Sequence, residues 1–294
     1  MIRDIWTIRA LLEWTTGFFE RKQVDSPRLS AELLLSHVLG VPRIKLYTDY
    51  DRQLAERDLG AFRDLVKRAG EHEPVAYLTG RAFFFNLELH VNRDVLIPRP
   101  ETEKIVENVA QFCRHTTGFE SPRILDLCTG CGCIAAALAH HLKSGQVIAT
   151  DLSPAALAVA KANLERLNLL DRVELAQGDL FDALRDAVDR SPFHIITANP
   201  PYIPTSQIET LDRNVRDYEP RLALDGGLDG LAIVREILAG APERLLPGGR
   251  LYVELAFDQG DVVREIAGKQ TGLADVKVLR DDAGHERILV AKRA

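Results

Sequence analysis

The stretch Arg123-Ile124-Leu125-Asp126-Leu127 runs directly into Cys128-Thr129-Gly130-Cys131-Gly132, and an alanine-rich helix opens at Cys133. A strand, a glycine-containing loop and a helix in immediate succession leave few folds open. The helix has to carry the chain back to start another strand, and such crossovers are right-handed and build parallel sheets. The rest of the chain repeats the alternation. Strands are expected at 123–127, 146–151, 173–178, 193–198 and 250–255, with helices at 133–142, 154–168, near 181–188, at 230–245 and at 259–270. A helix should also begin at Pro100, with Glu101 and Glu103 in its first turn, where the helix dipole favours carboxylates. Two last strands, 274–280 and 286–291, joined through Asp281-Asp282-Ala283-Gly284-His285, should pair antiparallel. The fold class is α/β, a Rossmann-like and mainly parallel sheet.

In such sheets ligands bind beyond the carboxyl ends of the strands. The first loop ends at a helix N-terminus, whose unpaired N–H groups suit a carboxylate or phosphate. The next strand, Gln146-Val147-Ile148-Ala149-Thr150, ends in Asp151, placed to accept from both hydroxyls of a ribose. The loop is not G-x-G-x-x-G, because Ala135 takes the place of the third glycine, and no G-x-x-x-x-G-K-[ST] segment occurs. A nucleoside without a pyrophosphate fits better. S-adenosylmethionine (SAM) meets that description, with its amino-acid end at the loop, its ribose at Asp151 and its adenine near Gly178-Asp179-Leu180. The cofactor-binding candidates are therefore Asp126, Cys128, Thr129, Gly130, Cys131, Gly132, Asp151, Asp179, Leu180 and Asn199.

Asn199-Pro200-Pro201-Tyr202 follows the apolar run His194-Ile195-Ile196-Thr197-Ala198. Consecutive prolines fix φ and offer carbonyls without N–H groups. The tetrad thus presents acceptors, the Asn199 side-chain oxygen and the Pro200 carbonyl, beside the flat ring of Tyr202. That cup suits a planar –NH2 group. In isolation it would read as a proline-rich turn closing a strand; the loop and Asp151 upstream give it a chemical context.

At this point the chain resembles the HemK/PrmC family of SAM-dependent methyltransferases, which modify a glutamine side chain of peptide chain release factors. Besides the tetrad, the resemblance rests on Glu73-Pro74-Val75-Ala76-Tyr77-Leu78-Thr79-Gly80, on Leu96-Ile97-Pro98-Arg99-Pro100-Glu101-Thr102-Glu103, and on Glu219 through Leu231. It covers roughly residues 74 to 294, and the earlier helical segment fits more loosely. It implies a seven-stranded class I methyltransferase sheet, SAM as methyl donor with S-adenosylhomocysteine (SAH) as product, and transfer to the glutamine nitrogen (N5) of a Gly-Gly-Gln motif in class-1 release factors. Asn199, Pro200, Pro201 and Tyr202 become the catalytic and substrate-binding residues, and the family places Phe84 near the transferred methyl. The family usually has glycine where Cys128 stands, so Cys128 is expected to take a backbone conformation open to a residue with Cβ and to crowd the cofactor. Adenine- and guanine-modifying methyltransferases share the tetrad, which keeps a nucleic-acid substrate as the alternative. A non-catalytic SAM- or protein-binding scaffold is a third reading, suggested only by Cys128.

The implied organisation is a helical substrate-recognition domain over 1–74, a β-hairpin linker over 75–97 and a SAM-dependent methyltransferase domain over 98–294. In the first part Ile5, Ile8, Leu12, Thr15 and Phe19 keep helical spacing. Ser26-Pro27 reads as an N-cap and first-turn proline of a helix ending at Gly40, and Phe62, Leu65, Val66 and Ala69 form a further apolar stripe. In the linker Phe83, Phe85, Leu87, Leu89 and Val91 alternate.

Charge argues against a nucleic-acid partner. The net charge is −6; residues 1–75 hold 12 basic and 12 acidic residues and the remainder 25 and 31, without the basic excess of a nucleic-acid binder. No apolar run approaches the ~18 residues that span a bilayer. The first six residues mix acidic and basic side chains too early for a secretory signal. Cys128-x-x-Cys131-x-Cys133, with Cys113, has the wrong spacing for a zinc site, so no metal is expected and the four cysteines read as reduced thiols. A cytoplasmic, monomeric enzyme is the expectation.

Overall fold

The computed structural model describes residues 6–185 and 191–294. Two compact units divide the chain. One runs through Arg81 and takes in Asp212–Tyr218; the other holds Ala82–Leu211 and Glu219–Ala294.

The first unit contains helices α1 (Ile8–Lys22), α2 (Pro27–Leu39), α3 (Arg43–Thr48), α4 (Glu56–Gly70) and α5 (Val75–Thr79). Ile8, Leu12, Thr15 and Phe19 are buried on one face of α1 as their spacing requires, and Ile8, Leu12 and Phe19 share a core with Leu34, Leu35, Leu46 and Phe62; Ile5 lies outside the described residues. Ser26 stands before α2 but does not cap it: its φ is +45°, left-handed, and its side chain makes no cap bond. Side-chain capping needs an extended residue at that position. The start of α2 rests instead on Pro27 and on Ser30 N–H donating to the Ser26 carbonyl (2.9 Å).

Residues 75–97 hold less strand than their alternation suggested. Val75–Thr79 is helical, bounded by Pro74 and by Gly80 at φ +69°. Only β1 (Arg81–Phe84) and β2 (Leu87–His90) pair, around Phe85 and Asn86, both with positive φ, a two-residue primed turn. This turn shifts the inward set. Ala82, Phe84, Leu87 and Leu89 are buried, whereas Phe83 is 66% exposed.

The second unit is built on a seven-stranded sheet in the order β5-β4-β3-β6-β7-β9-β8. Its strands are β3 (Arg123–Leu127), β4 (Gln146–Asp151), β5 (Val173–Gln177), β6 (Phe193–Ala198), β7 (Leu245–Glu254), β8 (Leu273–Arg280) and β9 (Glu286–Arg293). The first five are parallel, and β9 runs antiparallel to both β7 and β8. Helices α6 (Glu103–His115), α7 (Cys133–His141), α8 (Pro154–Arg166), α9 (Ala232–Arg244) and α10 (Gly260–Lys269) accompany it. A 3-10 turn, Pro100–Thr102, precedes α6. β7 starts earlier than its apolar run, because Leu245 already pairs with Phe193 before the pairing resumes at Ile195 and Arg250. The helix expected near 181–188 is a 3-10 turn at Leu180–Leu184, and residues 186–188 lie outside the described residues. Among the described residues no helix is long and apolar enough to cross a membrane.

From β3 the chain steps one way to β4 and β5, then returns to β6 and β7 on the other side. The carboxyl ends of β3 and β6 therefore flank the switch point where such sheets bind ligands. Asn163 on α8 ties this region together. It is fully buried, accepts from His90 N–H (2.6 Å) and donates to the carbonyls of His90 and Cys131 (2.9 Å each). Asn163→Leu removes the partner of three backbone groups at once and should cost about 2–5 kcal/mol in a urea-unfolding measurement. A loss under about 0.5 kcal/mol, the range of an ordinary surface substitution, would contradict this role.

Candidate active site

One cavity opens at the switch point. Cys128, Thr129, Gly130 and Cys131 line it from the loop after β3, and Asp151, Asp179 and Leu180 from the ends of β4 and β5. Asn199 and Pro201 enter from the end of β6. Five expected site residues are absent from the lining. Asp126 is wholly buried beneath the loop, and Gly132 packs on Ala160, which would stand 3.2 Å from an added Cβ. Pro200 and Tyr202 are not in the lining, although they adjoin residues that are. Phe84 is 1% exposed in the hairpin and is absent from the lining as well.

Asp126 organises the loop. Its carboxylate accepts from Thr129 Oγ1 (2.6 Å) and from Thr197 Oγ1 of β6 (2.7 Å), with a further bond from the Ala135 N–H. Burial pushes this carboxyl up to about 6 against those donors. The loop is stitched to β4 by Thr129 N–H donating to the Thr150 carbonyl (2.9 Å). Asp151 accepts from Gly130 N–H (2.8 Å) and Ser153 N–H (2.9 Å), one on each oxygen, which fixes the carboxylate while each oxygen keeps accepting capacity. Burial raises its pKa too.

Cys128 departs from expectation. Its φ is +56°, so it keeps the left-handed conformation that glycine adopts freely. The turn out of β3 dictates this backbone, and the thiol is accommodated at the cavity wall, where burial among acidic groups raises its pKa strongly.

The lining suits a nucleoside with a cationic centre. Carboxylates can accept from hydroxyl and amino groups, Ile134, Leu152 and Leu180 offer apolar walls for a ring, and among the described residues no Lys or Arg lines the cavity. A pyrophosphate would want the opposite charge. Thr150 Oγ1, at the same wall, is buried without a hydrogen-bond partner. The residues present therefore fit SAM.

The tetrad rests on backbone and on a buried acid. Gly226 N–H donates to the Ile203 carbonyl (2.8 Å), and an added Cβ at Gly226 would fall 2.8 Å from the Pro201 carbonyl. At Gly230, with φ +76°, it would fall 2.3 Å from the Tyr202 carbonyl, to which Gln259 Nε2 donates at 2.9 Å. Glycine is needed at both positions because backbone packs on backbone there. Two of the three other resemblance segments meet in an ion pair, Arg99 to Glu219 (2.5 Å), with Ile97 N–H also donating to Glu219 (3.2 Å).

Asn199 Nδ2 donates to Thr102 Oγ1 (3.1 Å), Thr102 Oγ1 donates to Glu254 Oε2 (2.6 Å), and the Tyr202 hydroxyl donates to Glu254 Oε1 (3.2 Å). Reading by motif missed the parts played by Thr102, Glu254 and Gln259. Thr102 lay in a motif segment, but its partner is 152 positions away. Burial pushes the Glu254 carboxyl up to about 7.

Comparisons with known proteins identify the family. Residues 10–80 match the family model described as PrmC N-terminal domain, and residues 124–218 the one described as Methyltransferase domain. A release factor glutamine methyltransferase of Rhodopirellula baltica is 45% identical over 98% of this chain and 97% of its own length. One of Geobacter sulfurreducens is 43% identical over 97% and 96%. The N-terminal domain of human METTL16, solved in complex with SAH, shares the fold at 21% identity and TM-score 0.51, over 71% of this chain and 76% of that one.

The raised carboxyl of Glu254 has a consequence for stability. Its pKa of about 7 lies above the ordinary 4.5, so the native state binds a proton more readily than the unfolded chain. The stabilisation is complete below about 4.5 and is lost as pH rises through about 7; Asp126, raised from 3.8 to about 6, acts in the same direction. Unfolding free energy should thus fall by on the order of 3 kcal/mol across this range through Glu254, and Glu254→Gln should flatten the profile. A variant whose urea-unfolding profile keeps the wild-type slope would contradict the assignment. Taken with its relatives' near-complete coverage, the chain is a SAM-dependent class I methyltransferase and belongs to the release factor glutamine methyltransferase family.

Proposed function

We propose that this enzyme transfers the methyl group of SAM to the side-chain amide nitrogen (N5) of the glutamine in the Gly-Gly-Gln motif of class-1 peptide chain release factors. The observation that carries the reading is the orientation of Asn199. Its Nδ2 is taken by Thr102, which leaves Oδ1 to accept from an incoming –NH2 group. The relatives, release factor glutamine methyltransferases by name, point to the same acceptor.

An amide nitrogen is a weak nucleophile because its lone pair is delocalised into the carbonyl. Asn199 Oδ1 and the Pro200 carbonyl take its two N–H donors and favour a pyramidal nitrogen with the lone pair free. Tyr202, anchored through its hydroxyl, packs on the amide plane. Bound SAM supplies an electrophilic methyl group on a sulfonium, and SAH remains after transfer. Asp151 holds the ribose hydroxyls, Asp179 and Leu180 border the adenine, and the loop from Cys128 to Gly132 receives the amino-acid end. Asp126 acts through Thr129 and Thr197. Phe84 has no part in the proposed cup, since it is buried in the hairpin. Catalysis is by positioning and by bonds that strengthen as the nitrogen becomes tetrahedral. The methylated nitrogen gives its surplus proton to water. The helical unit serves to recognise the protein substrate, and the enzyme works as a cytoplasmic monomer.

Incubation with labelled SAM, whole release factor and, separately, DNA and RNA tests the substrate. Label should map to the glutamine of the Gly-Gly-Gln peptide. Label in nucleic acid with the release factor unmodified would overturn the reading. Two variants test the site. Asn199→Ala should abolish transfer while SAM still binds, and near-normal turnover would refute the cup. Asp151→Ala should weaken SAM binding by roughly 1.5–3 kcal/mol, the scale of a charge-assisted hydrogen bond; an unchanged dissociation constant in calorimetry would place the ribose elsewhere.

A further inference from the structure

Beneath the tetrad, Glu254 stands at the carboxyl end of β7, 1% exposed, and Thr102 between it and Asn199 is also 1% exposed. Each oxygen of Glu254 serves one end of the tetrad: Oε2 reaches Asn199 through Thr102, and Oε1 holds the Tyr202 hydroxyl. A threonine hydroxyl has one proton to give, and a carboxylate can only accept. Once that proton goes to Glu254, Thr102 Oγ1 can only accept from Asn199. The Asn199 amide must then turn its NH2 toward Thr102, and its oxygen is the end left over.

The direction of the chain would reverse with a donor in place of Glu254. Thr102 would accept from that donor and give its proton to Asn199 Oδ1, turning Nδ2 outward. Two NH2 groups would then face each other in the cup, and the acceptor nitrogen would be repelled.

We infer that Glu254 is a positioning residue, acting through Thr102, that sets which end of the Asn199 amide faces the methyl acceptor and holds the Tyr202 ring in the same grip. The inference rests on the reading of Asn199 as the residue that receives the acceptor nitrogen. It assigns a task to two residues that touch neither reacting atom. It also explains why a carboxylate without a directly bonded cation is kept in the core: Arg287, whose charge acts on it, is itself engaged with Asp281 (3.4 Å) and the Leu255 carbonyl (3.3 Å), and Glu101 adds a like charge.

Three variants in the full chain test it: Thr102→Val, which keeps shape and loses the hydroxyl, Thr102→Ser, which keeps the hydroxyl, and Glu254→Gln, which keeps shape and adds a donor. With release factor and SAM at about pH 8, where a carboxyl of this kind is ionised, Thr102→Val and Glu254→Gln should lower kcat by about 30- to 100-fold, the cost of misplacing a reacting group. KM for the release factor and the calorimetric affinity for SAM should change by less than about threefold, and Thr102→Ser should recover most of kcat. Wild-type kcat in Thr102→Val, or equal losses in Thr102→Ser and Thr102→Val, would overturn the inference. Should Thr102→Val not fold, Thr102→Ala, which also removes the hydroxyl, carries the same decision. A second readout involves no substrate. In nitrogen-15 NMR of the free protein the Asn199 side-chain NH2 should exchange slowly in wild type and Thr102→Ser, and rapidly in Thr102→Val. Rapid exchange in wild type refutes the clamp even if the enzyme is active. Absence of wild-type transfer to release factor refutes the functional reading instead, and the NMR result still decides the clamp.

Discussion

The site depends on one buried carboxylate bridging two strands. Asp126 takes the hydroxyls of Thr129 and Thr197, one from the loop after β3 and one from β6, so the wall that faces the cofactor and the strand that carries the tetrad share an anchor. A carboxylate without water is costly, and only well-placed donors offset that cost. The push of its pKa to about 6 shows that burial still outweighs the three donors. An apolar residue there would spare the desolvation but leave both threonine hydroxyls without their acceptor. The geometry of the switch point follows from keeping the acid.

Much of this was legible in the residues because it is local. The apolar run at 123–127, its turn and the helix behind it appear where their pattern puts them, as do β4 ending in Asp151 and β6 ending before Asn199. What escaped reading is set by distant partners or by turn geometry. The Phe85-Asn86 turn reversed which aromatic side chains face inward, so Phe83 is out and Phe84 is in. Val75–Thr79 alternates weakly enough to pass for strand, yet Pro74 and Gly80 frame it as a helical turn. Cys128 takes a positive φ because the loop requires it, a demand no periodicity reveals.

The motif segments turn out to support the tetrad from behind as much as to line the cavity. Arg99 and Glu219 join two of them, Thr102 extends from the first of these toward Asn199, and the glycines at 226 and 230 let the second lie against the tetrad's carbonyls. Glu254 and Gln259 come from the end of β7 and the turn after it, far in sequence and unmarked by any spacing rule. Both hold the tetrad through hydrogen bonds, Glu254 by way of Thr102 and the Tyr202 hydroxyl and Gln259 at the Tyr202 carbonyl.

A crystal structure of the enzyme with SAH and the Gly-Gly-Gln-bearing domain of a release factor addresses the central claim most directly. The account predicts the glutamine side-chain nitrogen within about 3.2 Å, hydrogen-bond distance, of both Asn199 Oδ1 and the Pro200 carbonyl, with Asn199 Nδ2 still on Thr102 and the ribose on Asp151. A glutamine bound away from the tetrad, or an Asn199 amide turned to present its NH2 to the substrate, would contradict it.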